Sequence, residues 1–164
     1  MTTYYSYANT PIGELLVAVA DDGAVVRIAF EGEGDARKPR KEWIRDDRRL
    51  DALRTQLAEY FAGTRRAFDV DVAPEGTEFQ KRVWAALCGI PYGDTRSYGA
   101  IANAIGKPTA SRAVGAANGS NPIPIVIPCH RVLGSDGSLH GYSGGGGIQT
   151  KKWLLQLEGA ALPQ

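Results

Sequence analysis

Cysteine and histidine are scarce in this chain, two of each in 164 residues. Two cysteines cannot build the cross-linked framework of a small secreted domain. Nor do Cys88, Cys129, His130 and His140 show the paired spacing of a zinc site, so no metal is expected. Long apolar runs are also missing. No stretch reaches the roughly eighteen apolar residues that suggest a membrane span. The opening residues, MTTYYSYANTPIG, lack a basic start followed by an apolar block and do not read as a secretory signal. The expected compartment is a reducing cytoplasm, where cysteines stay free thiols. An excess of one charge is missing too: 19 Lys and Arg oppose 18 Asp and Glu. The distribution is less even. From residue 77 onward eight basic residues face four acidic ones, a net of +4, leaving residues 1–76 at −3. A basic back half fits contact with a polyanion, although ordinary solvated surface produces imbalances of this size.

What is present divides into two units. In the first, YYSYAN, ELLVAVA and AVVRIAF are rich in β-branched and aromatic residues and separated by the turns TPIG and DDG, the pattern of antiparallel hairpins. Residues 31–47 are charged and glycine-rich and read as a loop. Leu50, Leu53, Leu57, Tyr60 and Phe61 then recur at helical spacing, with Gly63 as a stop. AFDVDV alternates as a last short strand, and APEG, residues 73–76, forms a joint.

The second unit is mainly helical. Thr77 and Gln80 form a capping-box signature ahead of Phe79, Val83 and Leu87 on one helix face. Cys88 shares the apolar side with Trp84 and reads as a core residue. SYGAIANAIG gives a short helix with Tyr98, Ile101 and Ile105 on one side. A second helix, headed by Pro108, is rich in Ala and Gly, and the pair forms a helix-turn-helix pattern. Small side chains let such a helix approach either a neighbouring helix or the floor of a DNA groove. PIPIVIP, with three prolines, reads as an extended rigid lead into Cys129 and His130. TKKWLLQLEG closes the chain as a helix packed by Trp153, Leu154 and Leu157. No internal repeat is visible. The expected organisation is α+β, with an N-terminal unit over residues 1–75 and a helical unit over residues 76–164.

The segment IVIPCHRVLG, residues 125–134, places one of the two cysteines beside one of the two histidines. A buried core residue, a metal ligand and a nucleophile are the three readings. Nucleophilic use needs a base, because only a few per cent of a free thiol is ionised at neutral pH. Neighbours on an extended segment point to opposite faces, so His130 reaches Cys129 only if the chain turns or a water bridges them. The imidazole would need an orienting carboxylate, with Asp136 and Glu158 as candidates.

NPIPIVIPCHRV strongly resembles the active-site segment of the O6-alkylguanine-DNA alkyltransferases, the methylated-DNA–protein-cysteine methyltransferases. The resemblance extends in order through GTEFQKRVWAALCGIPYGDTRSYGAIA, SRAVGAANGSNPIPIVIPCHRV, GYSGG and KKWLLQLEG, most of residues 77–159. The front unit is compatible with that family's variable ribonuclease-H-like N-terminal domain, and the back unit with a winged-helix-like helix-turn-helix domain.

The resemblance implies direct-reversal DNA repair. An alkyl group would pass irreversibly from O6-alkylguanine, and from O4-alkylthymine, in double-stranded DNA to Cys129, once per molecule and without a cofactor. His130 would be the base, reached through water, with Glu158 orienting it and Asn121 bracing the site. Tyr98 would crowd the phosphate and hydrogen-bond the flipped base. Arg112 would fill the gap left in the duplex. Thr95, Arg96 and Ser111 would hold phosphates. The Val132 carbonyl and the loop at Tyr142, Ser143 and Gly144 would line the base pocket. The helix-turn-helix is expected in the minor groove, and the protein is expected to be a monomer in solution, with cooperative packing on DNA left open. A related branch without the cysteine is non-catalytic; here Cys129 is present. Two further readings compete: a non-catalytic helix-turn-helix DNA-binding protein and a Cys-His hydrolase.

Overall fold

The computed structural model describes residues 1–139 and 147–161. Its N-terminal part is a four-stranded sheet in the order β3-β2-β1-β4. Strands β1 (Thr3–Thr10) and β2 (Gly13–Ala20) form a hairpin from Thr3↔Ala20 to Thr10↔Gly13. Thr10 closes its turn, with Oγ1 donating to the Gly13 carbonyl at 2.7 Å and accepting from the Ile12 amide at 3.1 Å. Strand β3 (Val25–Ala29) continues antiparallel to β2. The charged segment at 31–47 is more ordered than its composition suggests. It holds a 3-10 turn, Gly34–Arg37, and then β4 (Ile44–Arg45), which pairs parallel to β1. The open edge of β1 supplies the backbone partners, and Asp46 N donates to Tyr5 O at 3.0 Å. Helix α1 (Asp51–Phe61) follows, and its stripe of Leu53, Leu57, Tyr60 and Phe61 is buried together with Leu50.

AFDVDV is not a strand. It makes a single bridge, Val25↔Val72, and its alternation reflects the packing of Phe68, Val70 and Val72 against the core.

Four helices build most of the C-terminal part. Helix α2 (Glu78–Cys88) carries the expected capping box: Thr77 Oγ1 accepts from Gln80 N at 3.1 Å, and Gln80 Oε1 from Thr77 N at 2.8 Å. Val83, Trp84 and Leu87 are buried, and the Trp84 indole donates to Ala117 O at 2.8 Å. Cys88 is exposed rather than packed in the core. One residue past Leu87 the helix has rotated by about 100°, off the buried face. Helices α3 (Tyr98–Ala104) and α4 (Ser111–Gly119) form the helix-turn-helix. Pro108 lies in their connection and not at the head of α4, because residues 107–110 close a turn first, Ala110 N donating to Lys107 O at 2.9 Å. Strand β5 (Arg96–Ser97) pairs parallel to β6 (Val132–Leu133), and α5 (Ile148–Leu157) closes the fold.

PIPIVIP folds back on itself instead of running extended. Ile127 N donates to Ile123 O at 2.9 Å, and Pro124 bridges Ile127. The turn puts Ile125 at φ 75°, although it is β-branched and 1% exposed. Such a conformation costs on the order of 1–3 kcal/mol and persists only where packing imposes it. Proline's fixed φ is compatible with turns as well as extended chain, and burial of Ile123, Ile125 and Ile127 selects the turn.

The two parts share one core and meet closely at their joint. Ile28 N of β3 donates to Pro122 O at 3.0 Å. A Cβ on Gly76 would lie 2.6 Å from the ring of Trp84, itself fully packed. Gly76→Ala is therefore expected to lower unfolding stability by about 1–3 kcal/mol, read from the urea midpoint, because the added methyl must displace the buried indole.

Candidate active site

Cys129 begins a single 3-10 turn, Cys129–Arg131, immediately after the folded PIPIVIP segment. Successive side chains on such a turn diverge by about 120°, so Cys129 and His130 are not forced to opposite faces as on a strand. Both are buried. Two asparagines fix the turn from the α4 side. Asn118 Nδ2 donates to Cys129 O at 3.2 Å. Asn121 Nδ2 donates to Ile127 O at 2.8 Å, its Oδ1 accepts from Ile123 N at 3.0 Å, and its side chain lies near enough to the Cys129 thiol to oppose the effect of burial on it. The asparagine expected to brace the site thus spans the strained turn and reaches the sulfur.

Glu158, at the C-cap of α5, is the carboxylate that meets the histidine, with His130 Nε2 2.8 Å from Oε2. Asp136, the other candidate, lies on an exposed loop and accepts from Ser138 N. Three further donors converge on Glu158. Arg131 binds it with both arms, Nε to Oε1 at 2.8 Å and Nη2 to Oε2 at 2.9 Å. Tyr60 donates its hydroxyl to Oε2 at 2.6 Å from α1, across 98 residues of sequence. Gly93 N reaches Oε1 at 3.4 Å; Gly93 has φ 83°, and a Cβ there would lie 3.2 Å from the Glu158 carbonyl. Sequence reasoning assigned no role to Arg131 or Tyr60. Tyr60 did carry a signal: a hydroxyl on an otherwise apolar buried stripe needs a partner.

The electrostatics follow from this packing. Burial alone would raise the Glu158 carboxyl, but the hydrogen bonds from His130, Arg131 and Tyr60 overturn that and hold it well below the carboxylate range. Burial pushes His130 down, with Glu158 opposing and Arg131 and Lys151 assisting. Burial pushes the Cys129 thiol up to about 11, against smaller opposing effects of Asn121 and the Lys151 ammonium. Lys151, on the buried face of α5, was also not anticipated; burial lowers it to about 8, and its Nζ lies 5.9 Å from the Tyr98 ring centroid. Burial and the nearby Cys129 raise Tyr98 to about 12. At neutral pH the resting pair is therefore thiol and neutral imidazole. His130 Nδ1 has no hydrogen-bond partner among the described residues.

The other expected site residues spread outward from this centre. Tyr98 opens α3 and is buried at the edge of a depression of about 460 Å³ shared with Ser111, Arg112, Gly115 and Gly134. Arg112 is exposed in the first turn of α4, and Ser111 beside it is half-buried. Thr95 and Arg96 lie just before α3, with Arg96 exposed and donating to Thr95 O at 2.9 Å. Val132 is buried in β6 opposite Arg96. Tyr142, Ser143 and Gly144 lie outside the described residues. A separate hollow of about 570 Å³ along the joint is lined by Glu75, Trp84 and Cys88 and holds none of the expected site residues. No group of three or more metal-ligating side chains occurs among the described residues, and no helix there is long and apolar enough to cross a membrane.

A carboxylate whose pKa is lowered on folding adds stability that is fully present above its ordinary value of 4.5 and is lost progressively as pH falls from there to the lower folded value. Glu158→Gln also leaves the Arg131 guanidinium buried without its anion. The expected loss is about 3–5 kcal/mol in urea unfolding at pH 7, shrinking progressively as pH falls below 4.5.

Comparison with known proteins bears on both halves of the chain. The model of the 6-O-methylguanine DNA methyltransferase ribonuclease-like domain matches residues 3–74, and that of the 6-O-methylguanine DNA methyltransferase DNA binding domain matches residues 78–160. A methylated-DNA–protein-cysteine methyltransferase of Methanosarcina acetivorans is 48% identical over 157 residues, 96% of this chain and 99% of the relative. One of Mycobacterium tuberculosis is 48% identical over 160 residues, 98% of this chain and 94% of the relative. The crystal structure of Mycobacterium tuberculosis OGT in complex with DNA matches with a TM-score of 0.85 at 44% identity, covering 95% of this chain and 92% of that one. With a buried Cys-His-Glu arrangement beside a helix-turn-helix, and with likeness along nearly the whole length, the chain belongs to the 6-O-methylguanine DNA methyltransferase family.

Proposed function

We propose that the protein repairs DNA by direct reversal, moving the alkyl group of O6-alkylguanine, and of O4-alkylthymine, in duplex DNA onto its own Cys129. The observation that carries this reading is the buried constellation of Cys129, His130 and Glu158 next to α3 and α4 in a member of this family. We divide the chain between residues 75 and 76 into a ribonuclease-like domain and a DNA-binding domain, and we assign it to the cytoplasm, where the thiol stays reduced.

The duplex is held by α4 in the minor groove, with Thr95, Arg96 and Ser111 at the phosphates. The target base lies inside the stack and must be extruded. Tyr98 crowds its phosphate, and Arg112 enters the space it leaves. The depression beside Tyr98 falls within the size range of ligand pockets, about 300–1,000 Å³. The amino group of the extruded base donates to the Val132 carbonyl.

Chemistry begins from a thiol, because burial keeps Cys129 protonated. His130 takes the proton at Nδ1 through a water, while Nε2 remains on Glu158. The Lys151 ammonium favours the thiolate that forms. Sulfur attacks the alkyl carbon as the carbon–O6 bond breaks, and guanine leaves with the bond pair. Tyr98, raised to about 12 and so protonated, donates to the departing base. The imidazolium then gives up the thiol proton through water, and the guanine anion gains one in place of its alkyl group, so atoms and charge balance and His130 is neutral again. A thioether offers no ready leaving group, and each chain acts once. Asn121 acts by fixing the turn and the sulfur together.

Incubation with duplex DNA containing O6-methylguanine is expected to add one methyl group per chain, found by intact mass on Cys129 and absent from Cys129→Ser. DNA binding without a mass change, or repeated turnover, overturns the proposal. Arg112→Ala is expected to slow repair of duplex DNA by about tenfold or more, equivalent to about 1.4 kcal/mol, while changing reaction with free O6-benzylguanine by less than about twofold.

A further inference from the structure

A carboxylate facing only an imidazole raises its basicity, and an imidazolium cannot accept a proton. The contacts around Glu158 are arranged against that outcome. Arg131 occupies both carboxylate oxygens with its Nε and Nη2, at 2.8 and 2.9 Å, so the anion facing His130 is already matched by a cation. Arg131 is itself fixed independently of Glu158. Its Nη1 donates to Ile90 O at 2.7 Å, and its guanidinium lies 5.8 Å from the Tyr92 ring centroid. An ionised carboxylate only accepts, so Nε2 of His130 must carry the proton in the 2.8 Å contact, leaving a lone pair on Nδ1.

Every element packed around the imidazole contributes to the balance. From α1 comes Tyr60, a neutral donor to Glu158. From α5 and its cap come Lys151 and Glu158, and from the histidine's own turn Cys129 and Arg131. Tyr98 from α3 closes on Lys151, Tyr92 lies beyond Arg131, and Cys88 of α2 also feels the guanidinium. Near neutral pH this set holds two cations and one anion. Without the guanidinium, one anion would face one cation, and the lysine is further toward the thiol and Tyr98.

Building on the reading of His130 as the base, we propose that Arg131 is a positioning residue that sets the acid limit of alkyl transfer. By matching the charge of Glu158 it keeps His130 neutral, in the Nε2-protonated form, over the working pH range. It acts through Glu158 and touches neither thiol nor substrate.

The test combines a direct titration with a rate profile. The chain has only two histidines, so His140→Gln leaves a single imidazole for nitrogen-15 NMR. In that background the His130 midpoint is expected to lie below the ordinary histidine value of 6.5, with the neutral form protonated at Nε2. Arg131→Met is expected to raise its titration midpoint by about 1–2 units. The acid limb of single-turnover benzyl transfer from free O6-benzylguanine to Cys129 should move up by the same amount. Arg131→Lys retains the charge without the two-armed grip and should shift both by less than about one unit. Arg131→Met combined with Glu158→Gln removes both charges and should return the midpoint toward that of the parent. If Arg131→Met does not fold, Arg131→Lys and the double variant carry the comparison. An unchanged midpoint and acid limb in a folded variant, with only lower stability, makes Arg131 purely structural and overturns the inference. Failure of the parent protein to transfer alkyl groups overturns the proposed function instead, while the NMR titration still reports on Arg131.

Discussion

The carboxylate of Glu158 is the junction on which the rest of the structure depends. It draws donors from α1, from the turn after α2 and from the Cys129–Arg131 turn. A charge with a fully buried side chain is tolerated only when its acceptor positions are filled and an opposite charge is near. These conditions require both parts of the chain to be docked, because Tyr60 comes from the N-terminal part and Arg131 from the C-terminal part. The docking that completes the core is therefore the same event that orients His130. Shared apolar contacts support it: Tyr60 packs edge-on against Tyr92 at 6.2 Å, and Phe61 lies 5.8 Å from Trp153.

The sulfur is held by a different device, a short turn under backbone strain. Ile125 would relax out of its positive φ if the surroundings allowed, but Asn121 ties the turn at both ends and the neighbouring isoleucines are buried. Rigid placement matters for a displacement reaction, in which the attacking atom must lie in line with the bond that breaks. Burial has a second consequence. A thiol raised to about 11 is almost entirely protonated, so it is a poor target for oxidants and stray electrophiles. Under the proposed function, in which each chain reacts once, reactivity that waits for a base to accept the proton prevents waste of the acceptor.

The sequence made the regular elements legible because their signals are local. The stripe from Leu50 to Phe61, the capping box at Thr77 and Gln80, and the α3–α4 pair each follow from spacing within one element. Misreadings occurred where tertiary contacts decided the outcome. PIPIVIP is compatible with extended chain until its isoleucines must all be buried at once. Alternation in AFDVDV indicated packing but could not show that β3 offers it only one bridge. Cys88 fell off the buried face by a single residue. Within the site, Cys129, His130 and Glu158 were recognisable from their motifs. Arg131 and Tyr60 were not, because one is adjacent to a more conspicuous histidine and the other sits 98 residues away in a hydrophobic stripe. Their roles exist only once Glu158 brings them together.

Tyr98 joins the two functions that the fold keeps otherwise apart. Its residue begins α3, so the helix-turn-helix sets its position, while its ring lies beside Lys151 and close enough to Cys129 for the two to influence each other's ionisation. The glycine and alanine content of α4 acquires a specific reason here. A Cβ on Gly115 would come to ordinary contact distance, 4.0 Å, from the Tyr98 ring, so the backbone of α4 passes close beside the tyrosine. Small residues on α4 thus serve the inner side of the helix as well as the outer one. The outer side can approach a nucleic acid closely, and the inner side leaves the tyrosine where helix placement and sulfur chemistry meet.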